Sequence, residues 1–386
     1  MNLKNDLLTG QDLIVFGEDF ARHPHSLEHL LRPLFGINKI IWVETIGLRS
    51  PRFSVYDLKR IYGKLKGWFG PKKPSEVRLV PQDFWIVAPL MIPFNQWKLI
   101  RSFNTWSVKR AVNKVLREQG FKNPITVTSV PNACDYVGEF AEKLKIYVCV
   151  DEFSLWPGLD YKMVQTMEAK LLSKADVVFA TSESLKNNKS NGKKETILLT
   201  HGVDFEHFNI GSKAFSENLN ICYFGLLDER SDQSIIQTIA TQSPAVKIHI
   251  IGNVVCDVEK LRAFKNIIFH GPVGYRALPD AIKEMDVFIL PYVRSELTEN
   301  LNPLKLKEYL STGRPTIATP LPEVVKFSEH LILAHDGKEF VSAIKNLRKF
   351  DSAKSAHTIE MLKSNETWQA KARIFSRHTS LHLGVN

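Results

Sequence analysis

Residues 302–314, which read NPLKLKEYLSTGR, form the most specific pattern in the chain. Proline at the start and glycine at the end are helix start and stop signals, so the stretch predicts a helix over residues 303–313. The first turn of a helix offers free backbone N–H groups and partial positive charge, which suit a diphosphate, and Lys305 adds a full charge there. Glu308, one turn on, can accept hydrogen bonds from a ribose diol. The pattern predicts a nucleotide diphosphate site.

Two carboxylates follow an apolar run in the first half of the chain. Asp151 comes directly after IYVCV, and Glu152 is the next residue. A carboxylate at the carboxyl end of a parallel strand is placed to act as a general base on a bound hydroxyl. The alternative for Asp151 is that it caps the next helix or holds the loop.

A polar cluster follows the first apolar run, in the sequence GEDFARHPHSLEHL. It contains Asp19, His23 and His25. A catalytic or ligand-binding role, which we favour for His25 over His23, competes with simple capping of a helix that starts near Ser26.

Short apolar runs alternate with helical patterns along the whole chain, which indicates parallel sheets covered by helices on both faces. The predicted strands in the first half are residues 12–17, 37–44, 84–90, 125–129, 145–150, 176–181 and 196–200. Those in the second half are residues 220–225, 246–252, 267–270, 286–291, 315–319 and 331–334. We therefore predict an α/β chain with one domain at residues 1–204 and another at 205–366. Residues 367–386 form a C-terminal helix that packs back on the first domain, or a frayed tail.

The positive charge of the chain is concentrated in one segment. The formal net charge is +10, and residues 51–120 hold fourteen lysines and arginines against four acidic residues, which leaves 37 of each sign elsewhere. Such a local basic field attracts phosphate, either in nucleic acid or in anionic lipid headgroups. No nucleic-acid-binding module accompanies the charge, so we expect an anionic membrane surface as the partner and no nucleic acid.

Residues 55–69 have the spacing of a basic amphipathic helix, with an apolar stripe beside cationic side chains. The residues that we expect at the membrane surface are Lys59, Arg60, Lys64, Lys66, Trp68 and Phe69. Residues 96–117 repeat the theme. For both segments the alternative is an ordinary helix whose apolar stripe packs on the sheet, and for the second segment this alternative is favoured.

No run reaches the roughly 18 to 20 apolar residues that a spanning helix needs, and the first residues lack the apolar core of a signal peptide. We therefore expect a cytoplasmic protein that is peripheral on the inner face of the plasma membrane. The four cysteines are scattered without a C-x-x-C pair, which predicts buried thiols rather than a zinc or redox site.

The motif at residues 302–310, N-P-L-K-x-x-E-Y-L, resembles that of GT-B glycosyltransferases, especially the group 1, family 4-like enzymes of bacterial polysaccharide biosynthesis. The resemblance implies two Rossmann-like, doubly wound domains that face each other across a cleft. It implies that the C-terminal domain binds a nucleotide-sugar donor and the N-terminal domain the acceptor. It also implies a UDP-sugar rather than a GDP-sugar.

The resemblance carries over to particular residues. Gly225 and Arg230 match the loop at the entry to the donor domain, Gly252 and Asn253 the loop that faces the base, and Tyr292 the end of the strand before the motif. The implied donor-binding residues are Gly225, Arg230, Gly252, Asn253, Tyr292, Asn302, Pro303, Leu304, Lys305 and Glu308.

One departure concerns stereochemistry. Many retaining members carry two glutamates separated by seven residues, but the residue eight before Glu308 is Asn300. This departure favours an inverting transfer and leaves the stereochemistry open. For inversion, Asp151 matches by position the base of the xanthan-pathway glucuronosyltransferase, with Glu152 as its rival and His25 as an acceptor contact. No metal or other cofactor is expected, because cationic side chains and helix N–H groups can stabilise a departing diphosphate.

The function predicted from the sequence is therefore transfer of a sugar from a nucleotide-sugar to a lipid-linked or growing cell-surface saccharide at the inner membrane face. The alternatives are a non-catalytic nucleotide-sugar-binding scaffold and a sugar-nucleotide epimerase of the same fold. A dehydrogenase is a more distant alternative, because no G-x-G-x-x-G follows an early strand.

Overall fold

The computed structural model describes residues 6–21, 25–48, 80–190, 196–211, 213–347 and 352–384, and for residues 352–355 it describes the backbone alone. The chain forms two compact units. The first consists of residues Met1–Leu199 together with Ala372–Asn386, and the second is Thr200–Lys371. The predicted boundary after residue 204 falls a few residues later than this one.

The first unit is built on a seven-stranded parallel sheet with the strand order β3-β2-β1-β4-β5-β6-β7. Its strands are β1 (Asp12–Gly17), β2 (Lys39–Glu44), β3 (Phe84–Val87), β4 (Ile125–Thr128), β5 (Leu144–Cys149), β6 (Val177–Ala180) and β7 (Thr196–Leu198). The central strands are buried at nearly every position because helices cover both faces, which is why they read as continuous apolar runs.

The helices of the first unit are α1 (Ser26–Leu31), α2 (Lys98–Glu118), α3 (Tyr161–Lys174) and α4 (Glu183–Lys189). Short 3₁₀ turns lie at Arg32–Leu34, Pro131–Asp135 and Phe153–Leu155. The side chains of Asp160 and Ser182 cap α3 and α4 by accepting backbone N–H bonds, which explains where these helices begin.

The second unit holds a six-stranded parallel sheet with the order β10-β9-β8-β11-β12-β13. Its strands are β8 (Asn220–Phe224), β9 (Lys247–Ile251), β10 (Ile267–Gly271), β11 (Val287–Leu290), β12 (Thr316–Ala318) and β13 (Ile332–Leu333). The strand order reverses between β8 and β11. In doubly wound sheets, ligands bind beyond the carboxyl ends of the strands at such a reversal.

The helices of the second unit are mostly short. They are α5 (Phe205–Phe208), α6 (Gln233–Gln242), α7 (Glu259–Arg262), α8 (Leu278–Ile282), α9 (Glu296–Glu299), α10 (Leu304–Ser311), α11 (Pro322–Val325), α12 (Gly337–Lys345) and α13 (Ser352–Met361). A 3₁₀ turn lies at Tyr275–Ala277, and a π-helical turn at Leu362–Glu366 follows α13.

A last helix, α14 (Trp368–Leu383), starts in the second unit and ends in the first. Its first residue is anchored in the second unit, where Trp368 N donates to Val203 O at 3.3 Å. In the first unit, the ring of Phe375 lies 5.2 Å from that of Phe179 on β6.

The α/β fold with two Rossmann-like sheets is confirmed, and each of the thirteen predicted strands is present with ends shifted by a few residues. The predicted helix at residues 96–117 is α2. The predicted membrane helix, with Lys59, Arg60, Lys64, Lys66, Trp68 and Phe69, lies outside the described residues, as does His23. Three cysteines are buried, but Cys256 is partly exposed and so departs from the expectation of four buried thiols.

None of the helices in the described ranges is long and apolar enough to span a bilayer.

Candidate functional site

The candidate donor site lies where β8, β9 and α10 meet. Gly225 follows β8 with φ +121° and Gly252 follows β9 with φ +141°, a backbone region that side chains rarely adopt. A Cβ on Gly252 would come closer than 3.0 Å to the carbonyl of Gly225, and one on Gly225 equally close to the side chain of Lys305. Only glycine at both positions lets the two strand ends and the lysine pack together.

Helix α10 is fixed to the end of β8 by its own tyrosine. Tyr309 Oη donates to Phe224 O at 2.8 Å and accepts from Phe224 N at 3.1 Å. The helix begins at Leu304 with Pro303 as its N-cap, and no side chain caps that end. It closes before Gly313, whose φ of +74° suits the residue after a helix. The tyrosine thus holds an uncapped helix N-terminus at the strand reversal.

Lys305 occupies the first turn of α10 and points at the β8 loop. Its Nζ donates to Tyr223 Oη at 2.6 Å and to Leu226 O at 2.9 Å, and it lies 4.5 Å from the centre of the Tyr223 ring. The ring centre of Tyr292, two residues after β11, is 5.9 Å away. The ammonium is thereby held at the strand reversal, beside the free end of the helix.

Arg230 adds a second cation to the same loop. Asp228 binds the guanidinium with contacts down to 2.6 Å, and Arg230 O accepts from Val293 N at 2.8 Å. Burial, followed by repulsion from Arg230, lowers the pKa of Lys305 to about 7. An anion bound between these cations and the helix N-terminus would relieve that repulsion. The electrostatics therefore favour a phosphate group there.

Glu308 lies three residues after Lys305 on α10, and burial raises the pKa of its carboxyl group to about 7, against the opposing effect of the Lys305 charge. Both groups therefore titrate near neutral pH, which is common where side chains are held partly out of water to meet a ligand.

The other predicted donor residues fall around this centre in different ways. Tyr292 is buried and its backbone forms an antiparallel bridge with Ser231. Asn253 is exposed, and its carbonyl accepts from Leu227 N at 2.9 Å. Asn302 is buried, donates to Glu323 at 3.2 Å, and has an Oδ1 with no partner in the part of the chain that is described. Asn302 thus fixes the loop before α10.

In the first unit, Asp151 and Glu152 follow β5 but differ in their contacts. Glu152 binds Lys189 at 2.5 Å and accepts from Ser154 Oγ at 2.7 Å. Lys189 also binds Glu168 at 2.7 Å, so Glu152 belongs to an internal ion network. Asp151 Oδ1 accepts from Glu152 N at 2.9 Å, a contact that holds the turn. The ion network makes Glu152 less suited to act as a base, and the contact of Asp151 is the loop-holding one given above as the alternative to a base.

His25 is the N-cap of α1, but its side chain makes no capping hydrogen bond. The ring lies 5.6 Å from that of Trp42, and burial lowers the pKa of the imidazole. Its Nε2 is buried and has no hydrogen-bond partner within the described ranges. Burial thus favours the neutral form of the His25 imidazole near the end of β1.

No role was predicted for Tyr223, Asp228 or Tyr309. In the structure, Tyr223 accepts from Lys305, Asp228 binds Arg230 and Tyr309 anchors α10. Tyr309 is the tyrosine of the N-P-L-K-x-x-E-Y-L motif. Tyr223 and Asp228 lie far from Lys305 in sequence, so no local pattern pairs them.

The described residues contain no group of three or more histidine, cysteine, aspartate or glutamate side chains that could hold a metal ion.

The model of the family "Glycosyl transferases group 1" matches residues 222–349, which include all the candidate donor-binding residues. Among solved structures, sucrose-phosphate synthase of Thermosynechococcus elongatus aligns with a TM-score of 0.72 and 13% identity over 97% of this chain and 99% of that one. HepE of Anabaena in complex with UDP and glucose aligns with a TM-score of 0.66 and 12% identity over 96% and 99%. The structural likeness shows that the chain has the GT-B fold, and residues 222–349 in its second unit are similar to group 1 glycosyltransferases.

A curated relative is TuaH of Bacillus subtilis, a glycosyltransferase assigned to teichuronic acid biosynthesis. It is 22% identical over 240 residues, which are 57% of this chain and 60% of TuaH.

Proposed function

We propose that this protein transfers a sugar from a UDP-sugar to a saccharide or lipid-linked saccharide acceptor. The observation that carries the proposal is the convergence of Lys305, Arg230 and the uncapped N-terminus of α10 at the strand reversal of the second sheet. Structures of the similar HepE hold UDP and UDP-glucose, which supports UDP as the nucleotide.

In this proposal the diphosphate binds at the first turn of α10. Lys305 and Arg230 neutralise the charge that develops on the nucleotide as the bond to the sugar breaks, and the backbone N–H groups around Pro303 and Leu304 add hydrogen bonds. Glu308 accepts from the ribose hydroxyls. Because these charges are already positioned, we propose that the reaction needs no divalent cation.

The remaining predicted donor-binding residues are proposed to contact or shape the same site. Gly225 and Gly252 let the backbone approach the nucleotide closely. Asn253 and Tyr292 contact the donor beside them, and Asn302 sets the entry to the helix.

For the acceptor side we propose an inverting transfer in which Asp151 removes the proton from the acceptor hydroxyl. Its place after β5 supports this role, while Glu152 is engaged by Lys189. His25, neutral and with a buried ring nitrogen, contacts the acceptor.

The acceptor is proposed to be part of a growing cell-surface polysaccharide, as the assignment of TuaH suggests by analogy. The basic segment at residues 59–69 is proposed to hold the protein on the inner face of the membrane, where a lipid-linked acceptor is found.

The test is calorimetric titration of UDP into the full chain, followed by an assay of UDP release from UDP-sugars with and without saccharide acceptors. Loss of a charge-assisted contact of about 1.5–3 kcal/mol predicts that Lys305→Met weakens UDP binding by about tenfold to a hundredfold. The matched control is Lys265→Met, an exposed lysine in the same unit, which should leave the affinity unchanged.

The outcomes separate the alternatives. UDP binding without turnover on any sugar donor supports a nucleotide-sugar-binding scaffold, and interconversion of sugar-nucleotides without transfer supports an epimerase. Equal UDP affinity for Lys305→Met and the wild-type chain would refute the donor site itself.

A further inference from the structure

Helix α2 exposes large apolar side chains on the face opposite to the one that packs on the unit. Leu99 is 87% exposed and Trp106 is 55% exposed. Trp97, the N-cap of α2, is 57% exposed. Leu99, Ser102, Trp106 and Arg110 follow at intervals of three or four residues, so they share one face. The buried residues Asn104, Ser107, Val108 and Val112 lie on the other side. Large apolar side chains that are exposed along one helix face are typical of an interaction surface.

Cations surround these apolar side chains. A groove of about 700 Å³ beside α2 is lined by Lys98, Arg101, Lys109, Arg110 and Lys170, with Asp135 as the one carboxylate in its lining. Asp135 is bound by Arg101 at 2.6 Å and by Lys170 at 2.9 Å. One carboxylate cannot balance five cations, so the groove has a positive surplus.

The cations differ in how they are held. Lys109 binds Glu139 at 2.6 Å, outside the lining of the groove. The side chains of Lys98 and Arg110 are exposed, and Arg110 lies 5.6 Å from the centre of the Trp106 ring. Tryptophan beside arginine, with leucine on the same face, is the composition of surfaces that lie at the lipid–water boundary.

We propose that the outer face of α2 docks on an anionic phospholipid bilayer, with headgroup phosphates in the cationic groove and Trp97, Leu99 and Trp106 entering the interface. Charge and apolar exposure together select this occupant: headgroups match the cations, and an exposed leucine gains free energy only by leaving water. The inference rests on the proposed function for its membrane-linked acceptor. It adds to the contact proposed for residues 59–69 a second membrane contact, which lies on a described helix.

The experiment is co-sedimentation of the full chain with vesicles of phosphatidylglycerol and phosphatidylcholine, and with phosphatidylcholine alone. A cation near an anionic surface contributes about fivefold in affinity, so the double variant Lys98→Gln with Arg110→Gln should bind about thirtyfold more weakly. Leu99→Ser should weaken binding by about tenfold. The matched control is Lys162→Gln with Lys265→Gln, which removes two exposed lysines elsewhere and should behave like the wild-type chain.

Three results would overturn the proposal: vesicle binding by the double variant equal to that of the control, equal binding to both vesicle types, or binding that only neutralisation of residues 59–69 removes. The proposal would also be refuted if the groove bound free inorganic phosphate or single-stranded DNA while vesicle binding did not depend on α2. UDP affinity and transfer to a water-soluble acceptor should be unchanged in the α2 variants. A chain that binds vesicles through α2 but does not transfer sugar would refute the proposed function and leave this inference standing.

Discussion

The affinity for UDP should fall as the pH rises above 7, because Lys305 then loses its proton. In the free protein, burial and Arg230 lower the pKa of Lys305 to about 7 from its ordinary value of 10.5. A bound diphosphate stabilises the ammonium and raises this pKa again. UDP binding therefore takes up a proton wherever free Lys305 is neutral and bound Lys305 is charged, and the affinity decreases with rising pH in that window.

The size of the effect follows from the protonated fraction. With a pKa of about 7, half of Lys305 is charged at pH 7 and about one part in a hundred at pH 9. Because a neutral side chain at this position should bind UDP about tenfold to a hundredfold more weakly, as for Lys305→Met, the dissociation constant should rise about fivefold to twenty-five-fold over this range. The second pKa of a phosphate group is about 6, so the charge of UDP is nearly constant over this range. Glu308, whose pKa is about 7, goes from half to fully ionised, a change of at most about twofold.

The assay is titration calorimetry with UDP between pH 7 and pH 9 at constant ionic strength, in two buffers of different ionisation enthalpy to count the proton taken up. Lys305→Met should bind weakly and without this pH dependence, and Lys305→Arg, which stays charged, should also lose it. Lys265→Met should retain the wild-type profile. A dissociation constant that is the same at both pH values in the wild-type chain would refute the assignment of Lys305 to the diphosphate.

Three further predictions concern positions outside this titration. Asp151→Asn should lower kcat by about a hundredfold to ten-thousandfold with UDP affinity unchanged, and near-normal turnover in the transfer assay would remove Asp151 as the base. Glu152→Gln should lower the melting temperature by several degrees in calorimetry, because it removes a charge that binds buried Lys189. The UDP affinity should change little. Loss of turnover at unchanged stability would instead make Glu152 the catalytic carboxylate. Gly252→Ala should lower the free energy of unfolding by about 1–3 kcal/mol and weaken UDP binding, because the added Cβ meets Gly225 O. The control is Gly271→Ala, whose Cβ has open space, so that it introduces backbone strain alone. Equal effects of the two variants on UDP titration would argue against the close packing of the strand ends.

The strands and the motif helix were readable because their signals are local. Buried parallel strands need apolar side chains on both faces, so each strand appears as a short apolar run. The N-terminus of α10 was marked by Pro303 and its end by Gly313, since each residue restricts or permits a backbone conformation by itself. Each of these signals depends on a residue and its near neighbours in the sequence. The strands and the helix ends can therefore be predicted without knowing the tertiary contacts.

The two lysines of the motif show what the sequence left undecided. Lys305 and Lys307 are two residues apart in the motif, and a phosphate contact was predicted for Lys305 alone. In the structure Lys305 reaches Tyr223 and Leu226, while Lys307 is buried against His201 O, Thr200 and Glu366. The turn of the helix sends the two side chains to different sides. Which side faces the strand ends depends on how Tyr309 docks on β8.

The sequence by itself thus determined the fold class, the strands and the position at which α10 begins, because periodicity and backbone preference are properties of short segments. Only the tertiary structure decided which side chains meet there. In the structure, Arg230 binds Asp228 and Gly252 packs against Gly225. Glu152 binds Lys189, and the apolar face of α2 is exposed to solvent. The contacts of Gly252 with Gly225 and of Glu152 with Lys189 join residues that are far apart in sequence, so no local pattern predicts them. The burial of the site residues and the charges around them depend on contacts of this kind.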